Sequence, residues 1–126
     1  MTEQIKKRTK HIGLEVIQLI DELPNKPSGW AIAKQIVRSS TSVGANYRAA
    51  CRAKSTADFI NKLKIVEEEA DETIYWLEIL EESGIVEAKR IEALKKEVNE
   101  ILAIVVASIK SSRAKVNQKS TIVNRK

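Results

Sequence analysis

Several kinds of residue are scarce in this sequence, and each scarcity excludes a class of fold or site. The single cysteine, Cys51, cannot form an internal disulfide, so we expect a reducing, cytoplasmic setting. With one histidine, His11, the chain lacks the ligands for a tetrahedral zinc site and the Glu-x-x-His pairs of a di-iron bundle. Only 4 glycines and 2 prolines are present, too few for the many tight turns of a sheet-rich fold.

Apolar and catalytic patterns are also limited. Aromatic residues make up 4% of the chain, so the core must be aliphatic. No apolar run approaches the roughly 18 residues of a membrane span, and the first residues do not resemble a secretory signal. There is no glycine-rich phosphate loop, and no serine or cysteine has an activating histidine beside it. We therefore expect a protein without enzymatic activity, cofactor or metal.

The apolar residues that are present recur at steps of three and four, which indicates helices. Ser28 is a candidate N-cap after the proline-rich stop, Ser55 opens a capping box, and Ser83 with Gly84 supplies a C-terminal stop. The pattern predicts four helices over about 3–23, 28–54, 56–82 and 87–110. Short connections favour an antiparallel, up-down-up-down four-helix bundle over residues 1–110.

Positive charge is concentrated at the C-terminal end. The net charge is +5, yet every charged residue after Ala107 is basic. We predict that residues 111–126 form a basic, disordered tail. Such a tail can contact nucleic acid or simply act as a solubilising end, and the sequence leaves both interpretations open.

The second helix is basic and the third is acidic. Lys34, Arg38, Arg48 and Arg52 fall within about 80° of arc opposite the apolar stripe of helix two. These bases can contact the phosphates of a nucleic acid or form ion pairs with glutamates of helix three. Ion pairing is the favoured interpretation for Arg38, and phosphate contact is the favoured interpretation for Arg48 and Arg52. The candidate nucleic-acid-binding residues are Lys34, Arg48, Arg52, Lys54, Lys110, Arg113, Lys115 and Lys119.

Helix three carries a second stripe away from its core side, formed by Ile65, Glu69, Glu72, Trp76 and Ile79. The stripe indicates either a wide core face or a subunit interface, where tryptophan is enriched. Glu69 and Glu72, one turn apart, could also hold Mg²⁺, but no aspartate occurs after Asp71, so a Glu-x-x-Asp motif on the next helix is missing.

The motifs of helices two and three resemble a known family. Residues 36–46 (IVRSSTSVGAN), 58–64 (DFINKLK) and 69–77 (EADETIYWL) are similar to the proteins named after the 23S ribosomal RNA intervening sequence. The resemblance implies a bacterial four-helix bundle that assembles into a ring, commonly a pentamer. It also implies a shared polar network of Arg38, Ser39, Asn46, Glu69 and Glu72. Trp76, on the second stripe of helix three, is the candidate interface residue beside it.

Two functions remain open at this stage. Some members of that family are encoded inside ribosomal RNA genes, and a related branch assists the reverse transcriptase of diversity-generating retroelements. The first hypothesis is a ring-forming protein that binds RNA or DNA, structured RNA above all, with a reverse transcriptase as a possible partner. It is motivated by the basic tail after Ala107 and by Arg48 and Arg52 on helix two. The alternative is a protein–protein assembly scaffold, in which basic and acidic helices pair at subunit interfaces through Glu69 and Glu72.

Overall fold

Four helices account for nearly all of the chain. The computed structural model describes the backbone of residues 2–124 and the side chains of residues 2–119. The helices are α1 (Thr2–Asp21), α2 (Pro27–Cys51), α3 (Thr56–Glu82) and α4 (Ala88–Asn124). Within these described residues there is no strand. The predicted all-α, four-helix fold is therefore confirmed.

The junction between α1 and α2 differs from the predicted one. Helix α2 begins at Pro27 with Lys26 as the N-cap, so Ser28 lies inside the helix instead of capping it. Proline suits the first helical position because it has no N–H to leave unsatisfied and its φ is already helical. Gly29 is required here, since a Cβ at this position would lie 2.9 Å from the carbonyl oxygen of Pro24.

The other two junctions follow the sequence signals. Ser55 caps α3 and its hydroxyl accepts a hydrogen bond from the backbone N–H of Asp58 at 3.1 Å, which confirms the predicted cap. Gly84, after the C-cap Ser83, has a φ of +79°, a conformation that favours glycine. Helix α2, however, ends at Cys51, three residues before the predicted end at Lys54.

Helix α4 is longer than predicted. It continues to Asn124, so the expected end near Lys110 and the expected disorder of residues 111–124 are wrong; residues 125–126 lie outside the described part. The physical reason is that this segment contains no glycine or proline to stop a helix. The polar composition of this segment favours exposure of its side chains to solvent, while its backbone remains helical.

The core is aliphatic and follows the predicted stripes. Each helix packs against the next one along the chain, and α1 also meets α4. Helices α1 and α3 lie across the bundle from each other, as do α2 and α4, with no close backbone approach in the described residues. Fully buried side chains that line the centre are Ile12, Val16, Leu19, Ile36, Val43, Leu63, Val66, Leu77, Leu80, Ile91, Val98 and Ile101. No helix in the described region combines the length and apolarity that crossing a membrane requires.

Candidate functional site

The predicted polar network centres on an arginine between α2 and α3. Arg38 donates from Nη1 to Glu69 Oε2 at 3.1 Å, and its Nη2 donates to Glu72. The two acids, three residues apart on α3, present both carboxylates to one guanidinium. The structure therefore joins Arg38 to Glu69 and Glu72 within one chain. The guanidinium occupies the position that a cation shared by the two carboxylates would take.

A buried hydroxyl pair lies beside this ion pair. Ser39 and Thr73 are fully buried, with their side-chain oxygens 2.9 Å apart. Ser39 Oγ also donates to the carbonyl of Ile36 at 3.3 Å, so no water is needed to satisfy it. Thr73 was not among the predicted residues, although a polar residue on the apolar stripe of α3 was a signal for it. Asn46 lies outside the group, because its amide donates to the carbonyl of Ser42 on its own helix.

The sequence predicted Trp76 as the aromatic residue on the outward stripe of α3, but the structure exposes its neighbour Tyr75 more. Trp76 is half-buried against the core, and its buried indole N–H has no acceptor among the described residues. Tyr75 packs edge-on against it, with ring centroids 5.1 Å apart, and is 53% exposed. The aromatic that α3 presents to solvent is thus Tyr75, which the sequence analysis did not single out.

The basic residues of α2 fall into two groups. Arg38 is paired as described above, whereas Lys34, Arg48 and Arg52 are exposed, as is Lys54 in the loop that follows. Among the described residues none of these four has a carboxylate partner. They form a face of α2 whose positive charge is not compensated.

A second set of bases, on α1, was missed by the sequence analysis. Lys6, Lys7 and Lys10 rim a groove of about 480 Å³ between α1 and α2, together with Arg48. The groove exists because the two helices approach closely: a Cβ at Gly44 would lie 3.1 Å from the backbone nitrogen of Lys10. The spacing of the three lysines on one side of α1 was an available signal, but their closeness to Arg48 depends on the packing.

Other arginines are neutralised across the α1–α4 edge. Arg8 binds Glu97 through both Nε (2.9 Å) and Nη2 (2.5 Å), and also reaches Glu100 at 2.9 Å. The hydrogen bond from Arg8 holds the pKa of the Glu97 carboxyl below its ordinary value. Arg90 likewise bonds both carboxylate oxygens of Glu22, at 2.7 and 2.6 Å. These pairs are structural and leave Arg8 and Arg90 unavailable for phosphates.

The bases of α4 lie near its C-terminal end. Lys110, Arg113, Lys115 and Lys119 are all exposed, and no carboxylate in the described part of the chain pairs with them. Lys115 shares a shallow depression with Phe59, close to the start of α3. At about 1.5 Å per residue, the following nine residues extend α4 by roughly 13 Å past that point.

The family model for the 23S rRNA-intervening sequence protein matches residues 2–107. This chain belongs to that family. The crystal structure of a protein of unknown function of the S23 ribosomal protein family, from Bacteroides thetaiotaomicron VPI-5482, is 38% identical to it. The likeness covers 84% of this chain and 98% of the Bacteroides chain, with a TM-score of 0.79. No curated protein matches the chain.

The candidate residues divide at the boundary of the match to the 23S rRNA-intervening sequence protein family. The Arg38 network, the basic face of α2 and the groove between α1 and α2 all lie within it. The four bases of α4 lie beyond residue 107 and are additional to the matched part of the family fold. In the described region no three histidine, cysteine or acidic side chains come together as a metal site would require.

Proposed function

We propose that this protein is a non-enzymatic accessory protein that binds nucleic acid, with structured RNA as its ligand. In this proposal the helices run up-down-up-down and the bundles assemble into a ring, a pentamer, in the cytoplasm. The observation that carries the proposal is the uncompensated charge: all eight candidate bases are exposed and none pairs with a carboxylate in the described structure.

The distribution of ion pairs supports this reading. The long-range pairs use Arg8, Arg38, Arg90 and Lys95, which hold neighbouring helices together. The bases facing outward on α2 and at the end of α4 are among those that remain unpaired in the described structure. Phosphates that bind these bases release their counterions, so each contact contributes a salt-sensitive share of the affinity.

The type of recognition follows from the residues available. Aromatic side chains that could stack on unpaired bases are scarce, and exposed Trp30 already donates its indole N–H to Asn25 at 2.7 Å. Contacts to phosphates therefore dominate over base reading, and the ligand is recognised by its shape. A reverse transcriptase and its RNA, or ribosomal RNA, are the partners that the family resemblance suggests.

Fluorescence anisotropy with a labelled RNA hairpin and a DNA duplex, at about 50 and 200 mM salt, tests the proposal. Two variants replace four bases each by glutamine: Lys110, Arg113, Lys115 and Lys119 on α4, or Lys34, Arg48, Arg52 and Lys54 at α2. A matched control removes the same charge from exposed lysines elsewhere, namely Lys26, Lys64, Lys89 and Lys96.

We expect the wild-type affinity to fall steeply with salt concentration. In each test variant the slope of this salt dependence should decrease by the equivalent of up to about 4 phosphate contacts. The control should reduce affinity only slightly, through the general loss of charge. If the wild-type chain does not bind either probe at the lower salt, the nucleic-acid role is refuted. Equal effects of all three variants would show that net charge, and not these surfaces, drives the binding.

The alternative scaffold function needs a different acidic surface from the one predicted. Glu69 and Glu72 already bond Arg38 in the same chain. The acids of α3 that remain exposed include Glu68 and Asp71. These two residues are the available partners for a basic surface on another molecule.

A further inference from the structure

Large apolar side chains are exposed at a few positions only, and these positions are not scattered. Among the described residues, the exposed ones are Leu14, Ile17, Trp30, Ile65, Tyr75 and Val116. Two of the six lie on the outward face of α1 and two on the outward face of α3. Paired apolar residues on an outward helix face are typical of a contact surface.

Each of these faces also carries two neighbouring charges of one sign, Lys7 and Lys10 on α1 and Glu68 and Asp71 on α3. Residues of the opposite sign are Glu3 and Asp21 at the two ends of the α1 face and Lys64 on the α3 face. We define the α1 stripe as Lys7, Lys10, Leu14 and Ile17, spaced at three and four residues, so that all four share one side of the helix. We define the α3 stripe as Ile65, Glu68, Asp71 and Tyr75, which have the same kind of spacing. Both stripes are exposed, one joining apolar residues to lysines and the other joining apolar residues to acids.

The two stripes cannot meet within one chain. Helices α1 and α3 lie across the bundle from each other, so their outward faces point in opposite directions. Contact between two α1 stripes would place lysine against lysine, and contact between two α3 stripes would place acid against acid. Only an α1 stripe facing an α3 stripe matches charge and apolar surface together, and this requires two copies of the chain.

The shape of the α1 surface suits an aromatic side chain. Leu14 and Ile17 line the groove between α1 and α2, which is about 480 Å³ in volume and has Gly13 and Ala45 among its other lining residues. On the α3 stripe, Tyr75 is 53% exposed and is the bulkiest residue. Aromatic residues seated in apolar pockets are frequent energetic centres of interfaces.

We propose that the α1 stripe of one copy binds the α3 stripe of a second copy, with Tyr75 seated against Leu14 and Ile17. In this contact Lys7 and Lys10 face Glu68 and Asp71. The contact uses different surfaces on the two partners, so each copy keeps one free stripe and a further copy can add. If the rotation between copies closes, the product is a ring. This inference specifies the surfaces of the self-assembly included in the proposed function.

The first test compares two exposed aromatic residues by sedimentation velocity in the absence of nucleic acid. Tyr75→Ala removes the proposed anchor, whereas Trp30→Ala is the matched control, because Trp30 is 59% exposed and lies on neither stripe. Circular dichroism establishes that both variants keep their helices. We expect Tyr75→Ala to weaken association at least about tenfold and Trp30→Ala to leave the mass distribution unchanged.

The second test exchanges the charges of the two stripes. Lys7→Glu/Lys10→Glu makes both stripes acidic, and Glu68→Lys/Asp71→Lys makes both stripes basic. Each double variant should dissociate by itself. A single chain that carries all four substitutions should associate again, because the charges are then exchanged at every contact. A mixture of the two double variants can pair only in alternation, so it should form open or even-numbered assemblies and not a five-membered ring. Recovery of this kind would not occur if the substitutions merely damaged the fold.

Three outcomes would overturn the proposal in distinguishable ways. A monomeric wild-type chain at about 100 μM would refute self-assembly itself, including that part of the proposed function. An assembled wild-type chain that is unaffected by Tyr75→Ala and by both charge variants would refute these surfaces alone. Dissociation of the charge variants without recovery in the chain that carries all four substitutions would refute the pairing of α1 with α3. None of these outcomes depends on nucleic-acid binding.

Discussion

Replacing Arg38 by glutamine separates the two roles that its ion pairs could have. The arginine bonds Glu69 at 3.1 Å and also bonds Glu72, and the Glu69 side chain is only 19% exposed. The substitution leaves two neighbouring carboxylates without their shared cation. Because both acids and the arginine belong to one chain, the cost should appear as lost stability of the folded monomer.

The size of the effect follows from the exposure of the three groups. Hydrogen bonds to charged partners contribute about 1.5–3 kcal/mol each when well shielded. The Arg38 side chain is 49% exposed, so solvent screening reduces this considerably. We expect Arg38→Gln to cost about 1–2 kcal/mol at pH 7, equivalent to a fall in Tm of roughly 4–8 °C for a domain of this size.

Urea denaturation of a double-mutant cycle measures this quantity. The cycle comprises Arg38→Gln, the Glu69→Gln/Glu72→Gln pair and the triple variant, and it should give a coupling free energy of about 1 kcal/mol. Arg52→Gln is the matched control. Arg52 lies at the C-terminal cap of α2, on the same side as Arg38, but has no ion pair among the described residues. It should change stability by less than about 0.5 kcal/mol.

Two results would refute the reasoning. If Arg38→Gln and Arg52→Gln have equal effects and the coupling is near zero, the ion pairs contribute nothing to the fold. If Arg38→Gln leaves stability unchanged but lowers the mass of the assembly, the arginine acts between subunits, as the scaffold hypothesis requires.

Three further predictions concern the bundle itself. The hydrogen bond from Arg8 lowers the pKa of Glu97, so the pair stabilises the fold at a pH above the ordinary pKa of about 4.5. This contribution is lost as the pH falls through the lowered pKa. Arg8→Met should therefore reduce the free energy of unfolding more at pH 7 than at pH 3, as measured by urea denaturation at both pH values. Gly44→Ala, which places a Cβ 3.1 Å from the backbone of Lys10, should lower the unfolding free energy by about 1 kcal/mol despite the better helix propensity of alanine, measured by thermal denaturation. Leu63→Ala, in the fully buried core, should cost about 2–5 kcal/mol by the same measurement.

Most of the fold could be predicted because its signals are local. Apolar spacing of three and four residues is sufficient to place four helices, and the Ser55 cap and the Gly84 stop act within a single turn. The end of α4 could not be predicted in this way, since polar composition is compatible with either an exposed helix or a disordered tail. What decided it is the lack of any residue that stops the helix before Asn124.

The site was less predictable because it depends on which helices are neighbours. The sequence allowed Arg38 to pair within or between chains, and only the packing of α2 on α3 brings it to Glu69. The groove between α1 and α2 was missed for the same reason. Lys10 and Arg48 are distant in sequence and line one groove because Gly44 lets the two helices approach closely. Tyr75 was missed because the second stripe was placed through Trp76, although Tyr75 shares a spacing of three and four residues with Ile65, Glu68 and Asp71.

The two proposals use different sides of the bundle and can therefore operate together. The stripes proposed for self-assembly lie mainly on α1 and α3, which face each other across the bundle. The unpaired bases proposed for phosphate contact lie mainly on α2 and α4, which occupy the other diagonal; Arg48 is the exception, because it lines the groove between α1 and α2. A head-to-tail contact through the first diagonal would leave most of these bases exposed in every copy. An RNA long enough to touch several copies would then bind by avidity, so modest contacts from each bundle add up to tight, salt-sensitive binding of the assembly.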